Sequence, residues 1–266
     1  MYFLRKTRSA IQRRLRTVGY GANERALELA TVEQQFSKLG LDFSQASSRT
    51  AQLINHGNLN RSDSSLHYEL FSAISSVLDP KRVLEIGTFR GEFSAFLGQL
   101  FPKSQLQTWD LPDNLGSEIH DYAANFRTYY RDQRASRVSN LSSLKNVQQI
   151  QKDSTYLVRA TEVFDLIWVD GDHSYPVVAF DILNALRLIS PVGWVVIDDV
   201  RLTDSGNSMG SNESFECIRH LTASGLVDSS LVYKRVGKPN RYWRDDRRRK
   251  HLAVLRPRPQ DSEHQK

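Results

Sequence analysis

Val83 to Leu97, VLEIGTFRGEFSAFL, is an apolar strand that runs through a glycine-bearing turn and straight into a helix. Val83, Leu84 and Ile86 are β-formers in a short apolar run, the pattern of a strand buried on both faces of a parallel sheet. Glu85 is the one charge inside that run. A buried carboxylate is costly unless paired, so Glu85 is expected to accept hydrogen bonds from a ligand or from backbone amides. Gly87 and Gly91 let the backbone turn sharply and approach a ligand, and the helix that starts near Gly91 aims its positive end at the same place. A dinucleotide site asks for three glycines spaced G-x-G-x-x-G. Here the spacing is E-x-G-x-x-x-G and no P-loop lysine follows, which points away from a pyrophosphate.

Outward from this stretch the strand and helix patterns alternate. Leu106 to Leu111 reads as a second strand ending in Trp109-Asp110. An acidic residue some twenty positions after a glycine turn, at a strand tip, is placed to hold a ribose diol, so Asp110 is a cofactor candidate; its plainer role is to open a turn with Pro112. Val147 to Gln151 reads as the third strand, with Asp153 and Ser154 at its tip. Phe164 to Val169 is an almost wholly apolar strand ending in Asp170-Gly171-Asp172-His173-Ser174-Tyr175, and Val192 to Ile197 is another, ending in Asp198-Asp199. In a doubly wound sheet these tips share the ligand-binding edge. Crowded carboxylates repel unless a cation sits among them, and a mainly oxygen donor set without cysteine suits Mg²⁺, Mn²⁺ or Ca²⁺. The plainer readings are that Asp172 caps the helix near Tyr175, that Asp198-Asp199 are loop acids, and that His173 only orients an aspartate.

The first motif resembles that of the class I methyltransferases, which bind S-adenosyl-L-methionine; there Glu85, Gly87, Thr88 and Gly91 would line its methionine and ribose end. The series from Val83 to Asp199, with VDGDHSYPVVAFDILNAL and GWVVIDD, is similar to the macrocin O-methyltransferase-related family (methyltransferase domain 24), and more distantly to catechol O-methyltransferases. The resemblance implies a Rossmann-like, doubly wound, mostly parallel seven-stranded α/β sheet with an antiparallel C-terminal hairpin. It also implies adenine contacts from Asp153 and Ser154, a divalent metal, Mg²⁺ first, on Asp170, Asp198 and Asp199, and a proton-accepting group at Asp172 or His173. Catechol-type enzymes carry asparagine where this chain has Asp199. Chemistry agrees with the carry-over: metal coordination lowers a hydroxyl's pKa, and an imidazole accepts a proton near neutral pH. The expected activity is S-adenosylmethionine-dependent O-methylation of a small-molecule hydroxyl on a sugar or phenol. Two rivals are a glycosyltransferase using Asp170-Gly171-Asp172 as its metal motif, which leaves Glu85 to Gly91 unexplained, and a non-catalytic cofactor-binding scaffold that docks through basic ends.

The 266 residues suffice for one α/β domain with appendages. The expected division is a basic helical extension and connection over 1–60, a methyltransferase domain over 61–245, and a flexible basic tail over 246–266. Cys217 is the one cysteine, which excludes an intramolecular disulfide and suits a reducing, cytoplasmic setting; no apolar run reaches 18 residues. The net charge of +6 is concentrated at the ends: residues 1–20 and 241–258 hold 14 of the 36 basic residues and two of the 30 acids, so the body is acidic. That argues against a nucleic-acid substrate. Residues 1–20 form a basic amphipathic arm, suited to a helical extension, an oligomer contact, an anionic membrane surface or an organelle transit segment. Helices are expected over 23–39, ended by Gly40, over a stretch after a cap at Ser62 or Asp63 up to Asp79-Pro80, and over 214–221. Residues 41–65, rich in Ser, Asn and Gln, read as a flexible connection. The aromatic and arginine residues of 113–146 read as an amphipathic helix with solvated arginines, residues 201–212 as a lid, and Leu231–Val236 with Arg241–Trp243 as the terminal hairpin.

Overall fold

The computed structural model describes residues 21–57, 59, 61, 64–113, 124–203, 212–237 and 249–258, with backbone alone over 124–132. The basic arm of residues 1–20, most of the expected lid and Arg241–Trp243 lie outside the described residues.

In chain order the elements are α1 (Ala22–Lys38), α2 (Phe43–His56), α3 (His67–Ile74), β1 (Arg82–Ile86), α4 (Glu92–Leu100), β2 (Gln105–Asp110), α5 (Ala124–Leu141), β3 (Val147–Gln151), a 3₁₀ turn (Ser154–Arg159), β4 (Phe164–Val169), α6 (Val177–Leu188), β5 (Ile189–Arg201), α7 (Glu213–Ala223), β6 (Val227–Tyr233) and β7 (Lys250–Pro257). The strands form one sheet in the order β3-β2-β1-β4-β5-β7-β6. β7 pairs antiparallel with both β5 and β6, while the strands from β3 to β5 are parallel.

Helices cover both faces, so the strands alternate between two apolar layers rather than between core and water. Leu166 and Trp168 of β4 pack with Val196, Phe36, Phe71 and Phe96 on the side of α1 to α4. Ile167 and Val169 point the other way, onto Ile182 of α6 and Ile218 of α7. Each such fully buried large side chain contributes about 1.5–3 kcal/mol, which is why these runs carry almost no polar residues.

Two expectations are corrected. Residues 43–56 are helix α2, not a flexible connection: Asp42 accepts from the Gln45 amide at 2.9 Å as its N-cap, and Thr50 hydrogen-bonds Ser72 of α3 at 2.7 Å. The serines and glutamines supply the face that solvent needs, and Phe36 meets Phe43 edge-on at 5.1 Å. The stretch 250–257, expected within a flexible tail, is β7, and it completes the hairpin where Arg241–Trp243 was expected to. Leu252, Val254 and Leu255 are fully buried there, and an apolar strand inserted between two neighbours cannot be a solvated tail. The next helix is also shorter than expected, with Leu66 rather than Ser62 or Asp63 at its N-cap.

Candidate active site

The carboxyl ends of β1, β2 and β4 enclose a cavity of about 350 Å³, of the size that holds a small ligand. Ile86, Gly87, Phe89, Asp110, Asp153, Ser154, Asp170, Asp172 and Asp181 are among its walls. Gly87 has φ +101°, and a Cβ there would fall 2.2 Å from the Asp170 carbonyl oxygen. The tips of β1 and β4 can meet at this distance only without a side chain, which leaves backbone as the cavity floor. Gly91 has φ +72° and caps α4, but a side chain there would meet Leu141 of α5 at 3.1 Å, so its role is helix packing rather than lining.

Asp110 ends β2 and is tied down on three sides. It accepts from the Phe89 amide at 2.7 Å, from the Leu111 amide at 2.8 Å and from Arg137 at 3.1 Å. Arg137, expected to be solvated, is buried and also pairs with Asp113. Burial still raises the Asp110 pKa above its ordinary value against these donors.

Glu85 is among the most buried carboxyls of the chain, at 1% exposure, and is not part of the cavity wall. It accepts hydrogen bonds from the hydroxyls of Ser94 and of Thr108, the latter at 2.6 Å, and Thr88 in turn donates to Thr108 at 2.6 Å. Among the described residues hydroxyls meet the charge, and Thr88 supports them through Thr108. Hydroxyls alone do not match the lost solvation, and burial pushes Glu85 up to about 7.

Asp153 caps the 3₁₀ turn by accepting from the Thr155 amide at 2.8 Å. Asp181 of α6 was missed from sequence because it sits inside an apolar helical run. It is 1% exposed, its Oδ1 has no hydrogen-bond partner, and burial pushes it up to about 6, opposed by a hydrogen bond from Ser154. Asp172 is exposed and accepts from the amide and hydroxyl of Ser174 at 2.8 and 2.7 Å, closing a local turn rather than capping the helix, whose N-cap is Pro176.

Beside the cavity lies the acidic cluster. His173 Nε2 is 3.5 Å from Asp170 and 3.7 Å from Asp199, and one third of its side chain is exposed. Donor atoms of Asp170, His173 and Asp198 fall within 4.8 Å of one another. Burial opposes the imidazolium, but the hydrogen bond and charge of Asp170, with those of Asp199 and Asp198, outweigh it and raise the His173 pKa. Burial and the neighbouring Asp198 hold Asp170 well above the carboxylate range. Strand alternation alone would send Asp198 and Asp199 to opposite faces. A bulge between Ile197 and Val200, with Asp199 at φ +54°, turns both inward.

Two lysines meet them there. Lys234, just after β6, hydrogen-bonds Asp198 and reaches Asp199 at 2.7 Å; Lys250, at the start of β7, pairs with the other Asp199 oxygen. Against the burial that disfavours charge, Lys234 holds Asp198 and, with Lys250, Asp199 below their ordinary pKa values, and the two aspartates raise that of Lys234. Neither lysine was a candidate from sequence, where Lys250 belongs to a basic run and Lys234 is isolated. A divalent cation on Asp170, Asp198 and Asp199 would have to displace ammonium groups from three of the four oxygens of Asp198 and Asp199; Asp198 Oδ1 alone has no hydrogen-bond partner among the described residues, so the expected set, which needs Asp199, does not fit the ion.

Residues 84–200 match the methyltransferase domain family. The O-methyltransferase TomG from Streptomyces achromogenes, involved in tomaymycin synthesis and solved with S-adenosylmethionine, superposes with a TM-score of 0.54 at 21% identity, over 85% of this chain and 96% of that one. A putative caffeoyl-CoA O-methyltransferase from Staphylococcus aureus superposes with a TM-score of 0.51 at 14% identity, over 78% and 90% of the two chains. These likenesses establish the fold. No curated protein matches the sequence. Among the described residues, no helix is long and apolar enough to cross a membrane.

Proposed function

We propose that the protein, whose residues 84–200 match the methyltransferase domain family, transfers a methyl group from S-adenosylmethionine to a hydroxyl of a small molecule, with His173 as the base. The observation that carries the reading is Asp170, which lines the cavity on one side and pairs with His173 on the other. A bound cofactor and a proton acceptor are thereby held one residue apart in space.

The cavity suits this cofactor. Its floor at Gly87 is bare backbone, Asp110 stands at the β2 tip for a ribose diol, and a wall with five aspartates against the single lysine Lys152 favours a cation over a polyphosphate. When bound, S-adenosylmethionine supplies an electrophilic methyl on a positively charged sulfur. His173 would take the acceptor's hydroxyl proton, leaving the oxygen free to receive the methyl group that the bound donor would supply. Asp170 and Asp199 orient the imidazole, and the ionised Asp199 stabilises it once it is protonated. Asp172 is bound up in its Ser174 turn and serves position rather than proton transfer.

The test uses methyl-labelled S-adenosylmethionine with panels of phenols, catechols and sugars, comparing the wild type with His173→Ala. Label on a hydroxyl oxygen, with transfer falling ~10²-fold or more in the variant, is the expected result. Metal-dependent binding of a nucleotide sugar, with no binding of the methyl donor or its product, would replace this reading by the glycosyltransferase. Contact of the basic ends with anionic surfaces and homo-oligomer formation stand as proposals of the charge pattern alone.

A further inference from the structure

We infer that Lys234 and Lys250 stand in the place of a divalent cation, so that the acidic cluster at the ends of β4 and β5 is neutralised from within and takes no metal. The inference rests on the cluster's geometry and does not depend on the reaction being methyl transfer.

Three observations carry it. Asp198 Oδ2 and both oxygens of Asp199 are each engaged by a lysine Nζ. A hard divalent ion held by both aspartates would take those oxygens at about 2.0–2.6 Å and sit against two ammonium groups; Asp198 Oδ1, beside Asp170 and His173, is the one oxygen of the pair left without a partner among the described residues. Lys234 is also not free to withdraw. Lys234 follows β6, where its amide donates to the Lys250 carbonyl at 3.1 Å and its own carbonyl accepts from Leu66 at 2.7 Å; its side chain is 7% exposed. Displacing it would bury an unpaired ammonium, a cost of several kcal/mol. Finally, the backbone is arranged for the ammonium. Asp198 lies on the sheet face of Trp194 and Val196, the face onto which Val232 of β6 also packs, two residues before Lys234. The bulge and the left-handed Asp199 then bring the second carboxylate round to the same nitrogen.

One consequence rests on the reading above. Without a metal to acidify it, the acceptor hydroxyl loses its proton to His173 alone, and the substrate class narrows to hydroxyls that ionise readily. Phenols, near pH 10 as in tyrosine, fit; sugar alcohols do not.

The test is calorimetric titration of Mn²⁺ and Mg²⁺ into the metal-stripped full-length protein, the Lys234→Met/Lys250→Met double variant and Lys234→Arg, each checked for folding by circular dichroism. The wild type and Lys234→Arg are expected to show no stoichiometric site at micromolar metal. The double variant, freed of its internal cations, is expected to gain one site, tightening Mn²⁺ binding by about tenfold or more. One Mn²⁺ per wild-type chain at micromolar concentration, lost in Asp198→Asn, overturns the inference. If the double variant does not fold, the wild-type titration decides alone, and these outcomes hold whether or not methyl transfer is found.

Discussion

At the end of β1, the buried carboxyl of Glu85 is met only by the hydroxyls of Ser94 and Thr108, whereas at the end of β5 the carboxylates of Asp198 and Asp199 are met by two lysine ammonium groups. The first environment is neutral and the carboxyl climbs to about 7; in the second, lysine outweighs burial and both aspartates fall below their ordinary range. Burial is common to both, so the partner's charge decides the outcome. Each arrangement suits its neighbour. On the proposed function, a supporting carboxyl under the cavity needs no fixed charge, while aspartates flanking His173 are useful when they remain ionised beside the imidazolium.

The largest expected effect breaks the second region. Lys234→Met leaves Asp198 and Asp199 without their shared cation and should cost about 3–5 kcal/mol, read as a lower denaturant midpoint. Lys234→Arg should recover most of it. In the first region Gly87→Ala forces a side chain into the Asp170 carbonyl at a backbone angle that side chains disfavour, and about 3 kcal/mol of destabilisation is expected by the same measurement.

Glu85→Gln sharpens the contrast through pH. The folded pKa, about 7 against 4.5, is raised, so the folded state holds a proton that the unfolded chain gives up between those values, and the buried charge weighs against folding as pH rises through that window. The variant should therefore gain about 3 kcal/mol over wild type at pH 8, a gain that shrinks towards zero below pH 5. A gain equal at both pH values would show that Glu85 is held ionised throughout. The control lies outside both regions: Arg258→Ala removes an exposed pair with Asp228 at 2.7 Å and should change stability by under about 0.5 kcal/mol.

The two regions also differ in how far they could be read from sequence. β3 and β4 fall where the patterns place them, and β1 begins one residue before; β1 and β4 are short, mainly apolar runs with a turn signal at the end, while β3, VQQIQ, alternates more weakly at the sheet edge. Gly87, Asp110 and Asp170 reach one cavity because a doubly wound sheet aligns its strand tips, a rule that needs no knowledge of side chains. Lys234 and Lys250 obey no such local rule. They meet Asp199 only because β7 inserts between β5 and β6, and a Lys next to an arginine run reads as tail until that pairing is known. Asp198 and Asp199 were legible as an acidic pair, but the bulge that makes both face inward has no glycine to announce it. Asp181 was hidden in the same way, a single acid in the apolar helix of residues 177–188.

The most direct test of the account is calorimetric binding of S-adenosylhomocysteine to the wild type, Asp110→Ala and His173→Ala, each with EDTA and with Mg²⁺. The account predicts micromolar binding by the wild type and by His173→Ala, weakened about tenfold or more in Asp110→Ala, with the same values in EDTA and Mg²⁺. No binding by the wild type, or binding that appears only with Mg²⁺, would contradict it.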